Sequence, residues 1–551
     1  MEFDLVIQNG TLIDGSGKPR YKGSIGIRDG RITAIARDSR IAAIARDGEL
    51  AAEQVIDASG LVVAPGFIDI HSHSDWILPQ ANHAQILAPL LLQGITTVVG
   101  GQCGFSPAPL VDHNEKAMDG ISDMLRDGQF PYRWESFGEF LDALEHDGIL
   151  MNAAFLVGHG SLRAQVMGDK PAIPTPQELK HMADLVRQSI REGAFGLSAG
   201  LAYAPGVFAK NEELLSLLEV ARDENALFTV HGRAYTWVSP FYQPMIIGTP
   251  HNIRSVRELI GLARQAKVRL QLSHQIFVGR RTWRTYRTIL GEIEQAAQDG
   301  MDIAFDAFPY TVGNSTIKVV FPEWFLDGFQ KNVNDPAALR RVKREITILQ
   351  KTLGIRYSDL RLMSTGETSL VELEGLDFET IGQRLHMHPF EAYMHIARCS
   401  QGQANLLLGT YSGDEQREEP LQAALAHPLC AFMTDTILTS QGTQNPASFG
   451  TFPRILGRYS RDLGLFSLEE AIRRMTSYSA ERTGLKEVGL IEEGYWADLV
   501  LFDPQTVADN TTSTQTEAPP SGIHSVLVSG KVAARDGKIT DARLHGRVMR
   551  R

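Results

Sequence analysis

Short apolar runs alternate with amphipathic stretches through most of the chain, and this alternation predicts its architecture. The runs are rich in Val, Ile, Leu and Phe, and stretches of helical periodicity follow most of them. Such an order is typical of βα units around a parallel sheet. Eight runs are candidate barrel strands: 61–70, 96–100, 153–157, 196–198, 227–230, 269–272, 302–305 and 430–434. We therefore predict an α/β chain whose centre is a TIM-like (β/α)8 barrel.

Both ends of the chain follow a different pattern, in which strand-like alternations are broken by tight turns. The interruptions near the N-terminus are Asn9-Gly10, Asp14-Gly15 and Asp29-Gly30. Such pairs favour hairpin turns. The C-terminal region returns to the same pattern around a polar loop, 505–522. We predict a small β-sandwich, made from residues 1–60 and 481–551, that flanks a barrel over 61–480.

Two further segments do not fit the regular pattern. The stretch 321–428 is too long for a connecting loop and contains helical periodicity at 336–351 and 378–384. It predicts a helical insertion before the last barrel strand, and one hypothesis is that it forms a lid over the barrel mouth. The sequence RITAIARDS is followed at once by RIAAIARDG, a near-tandem repeat over 31–48 to which we assign no chemistry.

Composition and charge argue against nucleic-acid-binding, membrane-spanning and disulfide-rich classes of protein. The formal net charge is −11 and is spread along the chain, which argues against nucleic acid or an anionic membrane as a partner. No apolar stretch approaches the roughly 20 residues of a membrane helix, and the N-terminal MEFDLVIQNG does not resemble a signal peptide. Three cysteines cannot form a disulfide framework. We expect a cytoplasmic enzyme with a small-molecule substrate, and the sequence leaves open whether it is a monomer or a homodimer.

Potential metal ligands stand directly after the predicted strands. Their side chains are imidazoles, one thiol and one carboxylate, a donor set suited to zinc. They are His71 and His73 after the first strand, Cys103 after the second, His231 after the fifth, His274 after the sixth and Asp435 after the eighth. Because the carboxyl ends of parallel barrel strands meet at one face, we expect these side chains to converge there. The sequence therefore predicts a zinc centre.

Several longer motifs resemble the amidohydrolase superfamily, and within it the D-aminoacylase (N-acyl-D-amino-acid deacylase) branch. The resemblance covers nearly the whole chain. Its motifs are APGFIDIHSHSD (64–75), GQCGFSPAP (101–109), VGHGSLRAQVMG (157–168), GAFGLSAGLAYAPG (193–206), FPYTVGNST (308–316), FGTFPRILGRY (449–459), LEEAIRRMT (468–476) and GLIEEGYWADLVLFD (489–503).

This resemblance implies roles for the candidate ligands. Cys103, His231 and His274 match the ligands of a tightly held zinc, and a second, weaker metal position is matched by His71, His73 and Asp435. Cysteine stands where many amidohydrolases have a bridging carboxylated lysine. The implied activity is hydrolysis of a linear amide by metal-activated water, with Asp435 as general base and then general acid.

The chain departs from the branch where the substrate is expected. The branch usually has a lysine two residues after the sixth-strand histidine, where this chain has Ile276. The usual acidic segment after the fifth-strand histidine is replaced by HGRAYTWVSP (231–240). The usual SDG motif after the eighth strand reads TDT (434–436). Candidate replacements that would bind a substrate carboxylate are Arg233, Arg280 and Arg281. The resemblance adds hydroxyl donors at Tyr310 and at Ser315 or Thr316. An aromatic group, Tyr235, Trp237 and Trp283, is expected either to line a pocket or to pack in the core.

The sequence is compatible with three functions, which it supports to different degrees. The leading hypothesis is a zinc-dependent deacylase of N-acyl-D-amino acids or related N-acyl compounds. A cyclic-amide hydrolase of the dihydroorotase or hydantoinase type is the alternative enzyme, and the branch-specific motifs argue against it. A non-catalytic barrel would be expected to lose ligands, whereas this chain keeps the whole set, including Asp435.

Overall fold

The structure is a computed structural model that describes residues 3–37, 52–168, 170–244, 248–540 and 544–551. Both chain ends contribute to one nine-stranded sheet. Its strands are β1 (Phe3–Leu12), β2 (Tyr21–Arg28), β3 (Arg31–Arg37), β4 (Ala52–Asp57), β5 (Val62–Pro65), β18 (Leu499–Phe502), β19 (Ile523–Val528), β20 (Lys531–Arg535) and β21 (Lys538–Ile539). The second half of the predicted repeat, 40–48, lies outside the described residues.

The two chain ends, for which the sequence predicts a small β-sandwich, form one continuous nine-stranded sheet. The reason is β5, which pairs in parallel with β1 and antiparallel with β18 and so joins the two chain ends edge to edge. Apolar residues of both halves, among them Ile27 and Leu499, bury one shared cluster. The Asp29-Gly30 pair forms the predicted hairpin turn between β2 and β3. Asn9-Gly10 instead lies in a bulge within β1.

The run 61–70 was predicted as one strand, and this prediction was wrong. It divides at Gly66 into β5, in the end sheet, and β6 (Phe67–Asp69), in the barrel. Gly66 lies so close to Thr96 that a Cβ at this position would be 2.1 Å from the Thr96 hydroxyl oxygen. Proline at 65 and glycine at 66 therefore allow the chain to leave one sheet and enter the other.

The centre of the molecule is a TIM-barrel-like arrangement of parallel strands. Its strands are β6, β7 (Ile95–Gly100), β8 (Asn152–Phe155) continued by β9 (Val157–Gly158), β10 (Gly196–Gly200), β11 (Leu227–His231), β12 (Arg269–Leu272), β13 (Ile303–Ala307) and β17 (Cys430–Phe432). Neighbouring strands pair in parallel in chain order. A parallel bridge between Ser72 and Thr436 connects the first strand to the last. Each of the eight predicted barrel strands has a counterpart: the first is shortened to β6, and the boundaries of the other seven differ by at most two residues.

Helices surround this barrel. They are α1 (His83–Leu92), α2 (Glu115–Ser122), α3 (Phe137–Asp147), α4 (His159–Met167), α5 (Pro176–Arg191), α6 (Asn211–Asp223), α7 (His251–Ala266) and α8 (Tyr286–Gln298), followed after the insertion by α14 (Glu419–Ala426), α15 (Ala447–Arg454), α16 (Leu468–Met475) and α17 (Ser477–Thr483). A π-helix, Ile455–Asp462, continues α15. No helix among the described residues combines the length and apolar character needed to cross a membrane.

The insertion before the last barrel strand contains strands as well as helices, so the prediction of a purely helical insertion was incomplete. Its helices are α9 (Glu323–Leu326), α10 (Phe329–Asn332), α11 (Pro336–Leu353), α12 (Phe378–Arg384) and α13 (Pro389–Cys399). A three-stranded antiparallel sheet is formed by β14 (Gly313–Thr316), β15 (Leu360–Ser364) and β16 (Asn405–Leu408). The helices predicted at 336–351 and 378–384 are confirmed. Helix α14, which the prediction included in the insertion, buries Leu421 and Leu425 in the barrel's own core.

Candidate metal centre

The six predicted ligands lie together at the carboxyl ends of the barrel strands. His71 and His73 follow β6, Cys103 follows β7, and His274 follows β12. His231 is the last residue of β11. The first and last strands are tied across the site, because the Asp435 amide donates to the His71 carbonyl at 3.0 Å and the His73 amide donates to the Thr436 carbonyl at 3.0 Å.

The thiol of Cys103 is the centre of the cluster. Its Sγ lies 3.3 Å from His71 Nε2, 3.4 Å from His274 Nε2 and 3.8 Å from His231 Nδ1. Asp435 Oδ1 lies 3.3 Å from His71 Nε2 and 3.6 Å from His73 Nε2. Single donor atoms from His71, Cys103, His274 and Asp435 all fall within 4.8 Å of one another.

Three of the ligands have a backbone conformation that side-chain-bearing residues rarely adopt. The φ angle is +56° at Cys103, +32° at His274 and +53° at Asp435. Such left-handed conformations cost on the order of 1–3 kcal/mol each and are maintained only where the surrounding structure imposes them. The three residues with this conformation are all candidate ligands, and each lies just after a barrel strand.

A buried carboxylate, Asp306 near the end of β13, lies against the backbone of His274 and the imidazole of His71. Its Oδ1 accepts a hydrogen bond of 2.6 Å from the His274 amide and lies 3.3 Å from His71 Nδ1. Its Oδ2 accepts a 2.9 Å hydrogen bond from the Gln271 side chain. A carboxylate beside Nδ1 favours the tautomer whose Nε2 lone pair faces the cluster. Asp306 therefore orients the ligand His71.

A second buried carboxylate, Asp69, supports the strand that carries the catalytic candidate. It accepts hydrogen bonds from the Thr434 amide at 2.9 Å and from the Thr434 hydroxyl at 2.5 Å. Burial raises the pKa of Asp69 to about 7, although the hydrogen bonds from Thr434 oppose this shift. Thr434 immediately precedes Asp435, so Asp69 fixes the position from which that side chain departs.

Charge in the cluster is concentrated on the thiol and on Asp435. Burial opposes ionisation of Cys103, but the charges of His71 and His274 hold the pKa of its thiol well below the usual range. Burial also opposes ionisation of Asp435. A hydrogen bond from His73 and the charges of His274 and His71 nevertheless lower the pKa of Asp435 to about 2. Its side chain is 21% exposed, against 0% for His71, so this carboxylate faces the mouth of the barrel.

This donor set fits a borderline metal ion. A thiol, imidazoles and a carboxylate converge with no lysine or arginine among them, and these are the side chains that ligate zinc once they are deprotonated. The Nδ1 atom of His274 is buried without a hydrogen-bond partner in the described part of the chain. Four of the six residues that the sequence predicts as zinc ligands form the compact group, and His231 and His73 lie beside it, next to Cys103 and Asp435.

Two tyrosines close the site above the imidazoles. The Tyr203 hydroxyl donates to the Cys103 carbonyl at 2.8 Å, and its ring lies 4.9 Å from the His231 ring. The Tyr235 hydroxyl donates to the Ser273 carbonyl at 3.0 Å, and its ring contacts both His231 and His274. Of the predicted aromatic group, Tyr235 thus lines the site. Trp283 is a packing residue, 3% exposed, and Trp237 is half-buried beneath the Arg284 guanidinium.

The arginines proposed as carboxylate binders are already engaged or point away. Arg233 pairs with Glu258 at 3.0 Å and donates to two backbone carbonyls. Arg280 makes a bidentate pair with Asp359, at 2.6 and 3.0 Å, and also bonds Asp414. Arg281 is exposed on the surface. These contacts give Arg233 and Arg280 a structural role, which short-range sequence spacing could not reveal because their acidic partners are distant in sequence.

The predicted hydroxyl donors occupy the other side of the mouth. Tyr310 is buried, and its hydroxyl donates to Asp509 Oδ2 at 2.9 Å. Asp509 comes from the polar loop 505–522 and also pairs with Arg454 at 3.0 Å. Ser315 is half-buried in β14 and lines a small cleft with Asn314 and Ile437. The end sheet therefore reaches the barrel mouth through Asp509, a contact that the sequence analysis did not anticipate.

Sequence reasoning also missed the supporting carboxylates. Asp306 lies in the run IAFDAF and Asp69 in GFIDI, and a lone carboxylate inside an apolar strand is the signal that could have identified them. A buried acid is rarely tolerated unless it is paired or hydrogen-bonded. Tyr203 belongs to the quoted motif at 193–206, but its contact with Cys103 depends on the packing of two separate strands.

Comparison with known proteins places this geometry in a family. The profile of the amidohydrolase family matches residues 54–340 and 385–534. A D-aminoacylase of Alcaligenes xylosoxydans xylosoxydans is 32% identical over 549 residues, which are 100% of this chain and 98% of that protein. An N-acyl-D-aspartate deacylase of the same organism is 30% identical, over 100% of this chain and 95% of that protein.

Solved structures agree with the sequence relatives. The N-acyl-D-glutamate deacylase of Bordetella bronchiseptica, solved with zinc and a phosphonate inhibitor that mimics the tetrahedral intermediate, superimposes with a TM-score of 0.80. The two proteins are 29% identical, and the match covers 100% of both chains. By its motifs, its strand-end ligands and these full-length similarities, the chain belongs to the amidohydrolase family, in its D-aminoacylase branch.

Proposed function

We propose that this protein is a zinc-dependent hydrolase of linear amides that removes the acyl group from N-acyl-D-amino acids. The observation that supports this most directly is the cluster itself, in which Cys103, four imidazoles and Asp435 meet at one barrel face. The relatives described above, which are deacylases of N-acyl-D-amino acids by name, match the chain over its whole length.

The candidate metal ligands divide into two adjacent sets in this proposal. Cys103, His231 and His274 would hold a first zinc ion, and His71, His73 and Asp435 would hold a second metal ion more weakly. When bound, zinc polarises the scissile carbonyl and lowers the pKa of a coordinated water from 15.7 to roughly 7. Cys103 Sγ lies 3.3 Å from His71 Nε2, so the two sets of residues are in direct contact.

Asp435 carries the proton during hydrolysis. Its low pKa, about 2, keeps the carboxylate ionised at neutral pH, so Oδ1 is available to accept a proton from the attacking water. The same oxygen then donates that proton to the departing amine nitrogen. Its neighbours His71 and His73 hold the carboxylate in place, and Tyr203 and Tyr235 limit the access of bulk water to the reacting carbonyl.

We extend the proposal to the setting in which the enzyme works. Cys103, Cys399 and Cys430 are all free thiols, which suits a reducing compartment such as the cytoplasm. A small-molecule N-acyl substrate is the proposed partner, and the division of the chain into 1–60, 61–480 and 481–551 is kept as the proposed domain organisation. Monomer and homodimer remain alternative states.

The test is amine release from paired D and L forms of N-acyl amino acids by zinc-loaded enzyme, with hydantoin and dihydropyrimidine rings in the same panel. We expect turnover of D forms and none of the rings. The variant Cys103→Ala should lose bound zinc and activity together, which shows that the reaction occurs at this cluster. Turnover of rings alone would establish the cyclic-amide alternative instead.

A further inference from the structure

One wall of the barrel mouth is apolar where the branch usually carries a cation. Ile276 stands two residues after His274 and is 8% exposed. It belongs to a hydrophobic cluster that also contains Phe308 and Tyr310. Arg233, two residues after His231, and Arg280, in the segment that follows His274, are each paired with a carboxylate of the protein. A substrate group held against this wall therefore needs a donor of another kind.

Tyr411, contributed by the insertion, lies between the two loops that carry this wall. It forms a bridge with Val278, in the loop that follows His274. Its amide donates to the Thr311 carbonyl at 2.9 Å, in the loop that follows β13. Its ring covers Gly313 so closely that a Cβ on that glycine would be 2.2 Å from the ring. The side chain is thus fixed at the carboxyl ends of β12 and β13.

The backbone around Tyr411 is strained and cross-braced. Thr410 and Ser412, its two neighbours, have φ angles of +68° and +59°. A β-branched residue with positive φ is a genuine outlier that persists only where the surroundings impose it. The Thr410 carbonyl accepts hydrogen bonds from the Trp283 indole at 3.0 Å and from the Gly279 amide at 3.1 Å. Ser412 is tied to Phe277 by two hydrogen bonds, of 3.0 and 3.1 Å.

The hydroxyl of Tyr411 differs from those of the other tyrosines at the mouth. Tyr203, Tyr235 and Tyr310 each donate to a protein acceptor. Within the described residues, the Tyr411 hydroxyl has no hydrogen-bond partner, and the residue is only partly buried. A phenol is protonated at neutral pH, so this hydroxyl is available as a hydrogen-bond donor.

We propose that Tyr411 is a specificity-determining residue whose hydroxyl donates a hydrogen bond to the substrate group adjacent to the scissile amide, at the wall formed by Ile276. This inference rests on the proposed deacylase function and sharpens its substrate class. A phenol is a neutral donor, so it bonds the oxygen of a carboxylate or of a carboxamide alike, whereas a lysine strongly prefers the anion. The enzyme therefore accepts N-acyl-D-amino acids and their carboxamides with similar efficiency.

The first experiment compares kcat/KM for three substrates of one acyl group: the best N-acetyl-D-amino acid, its carboxamide, and an N-acetyl alkylamine that lacks this group. In the wild type, we expect the acid and the carboxamide to differ by less than about 10-fold. Tyr411→Phe keeps the ring on Gly313 and should lower kcat/KM about 10-fold for the acid and the carboxamide, but less than about 2-fold for the alkylamine.

Tyr357→Phe is the matched control. Tyr357 is a half-buried tyrosine of the same insertion whose ring packs against His388 and Tyr393. We expect it to leave all three kcat/KM values within about 2-fold. A complementary variant, Ile276→Lys, should shift the ratio of acid to carboxamide toward the acid by about 10-fold or more. Equal losses for all three substrates in Tyr411→Phe, or no loss, would overturn the proposal.

A binding measurement separates this proposal from the proposed function. An N-alkyl-D-amino acid, which has an amine in place of the amide and cannot be hydrolysed, is titrated into the metal-free protein by calorimetry. We expect Tyr411→Phe to weaken its binding about 10-fold and Tyr357→Phe to leave it unchanged. If the wild type hydrolyses none of the substrates but this difference remains, the deacylase proposal fails and the role of Tyr411 stands. Equal binding by the wild type and Tyr411→Phe, or no binding by the wild type, overturns the role of Tyr411.

Discussion

The metal side and the substrate side of the same barrel mouth are built from different parts of the chain. On the metal side, every ligand stands at the end of a barrel strand, and the first and last strands are tied together beside Asp435. On the substrate side, Tyr411 comes from the insertion and Asp509 from the loop of the end sheet. The barrel thus supplies the chemistry, and segments added to it supply the walls of the pocket.

The two sides also treat charge differently. The metal side concentrates negative charge on Cys103 and Asp435, where a cation would compensate it. On the substrate side, arginines are paired with carboxylates of the protein, as in Arg280 with Asp359 and Arg454 with Asp509. On the substrate side, this chain therefore differs from what the motifs of its branch imply, since Ile276 stands where that branch usually has a lysine.

The largest expected effect is a loss of kcat when Asp435, the proposed proton carrier on the metal side, is substituted. Asp435→Asn keeps the size of the side chain but cannot accept the proton of the attacking water, so kcat should fall by about 10²- to 10⁴-fold. Steady-state kinetics with metal analysis of the same sample measures this, and we expect the tightly held zinc to remain. A kcat within about 3-fold of the wild type would remove Asp435 from the mechanism.

An intermediate effect is expected at the carboxylate behind the ligands. Asp306→Asn loses the anionic partner of His71 Nδ1 and of the His274 amide, and zinc affinity should fall about 10- to 100-fold. Competition with a chelator of known affinity measures the change. Asp299→Asn, on the exposed helix end before β13, serves as the control and should bind zinc as the wild type does. Unchanged affinity in Asp306→Asn would mean that the ligands are held by their backbones alone.

The smallest functional effect is expected on the substrate side, at Arg280. If its ion pairs with Asp359 and Asp414 are structural, Arg280→Ala should lower the free energy of unfolding by about 1.5–3 kcal/mol and leave KM within about 2-fold. Urea unfolding and KM for an N-acyl-D-amino acid are measured on the same preparation. Arg280→Lys keeps the charge without the bidentate geometry, so its free energy of unfolding should lie between those of the wild type and Arg280→Ala. A KM raised about 10-fold or more in both variants would return Arg280 to the substrate site.

The comparison also shows which parts of the molecule could be predicted. The barrel strands were predictable because each is a short apolar run bounded by polar turns. The candidate ligands were predictable because each comes directly after one of these runs. The division of 61–70 at Gly66 was not, because the close contact with Thr96 that requires glycine involves a different strand. Nor were the pairs of Arg233 and Arg280, whose partners lie 25 and 79 residues away in sequence.

The sequence by itself predicted the parallel barrel, a set of candidate metal ligands and the class of reaction, because these depend on local patterns and on residue types with few alternative uses. Cysteine and histidines at successive strand ends needed only the rule that parallel strands share one functional face. The tertiary structure alone decided what surrounds the substrate. The free hydroxyl of Tyr411, the reach of Asp509 into the mouth and the neutralised arginines all depend on packing between distant segments, which sets distances and burial that no local pattern contains.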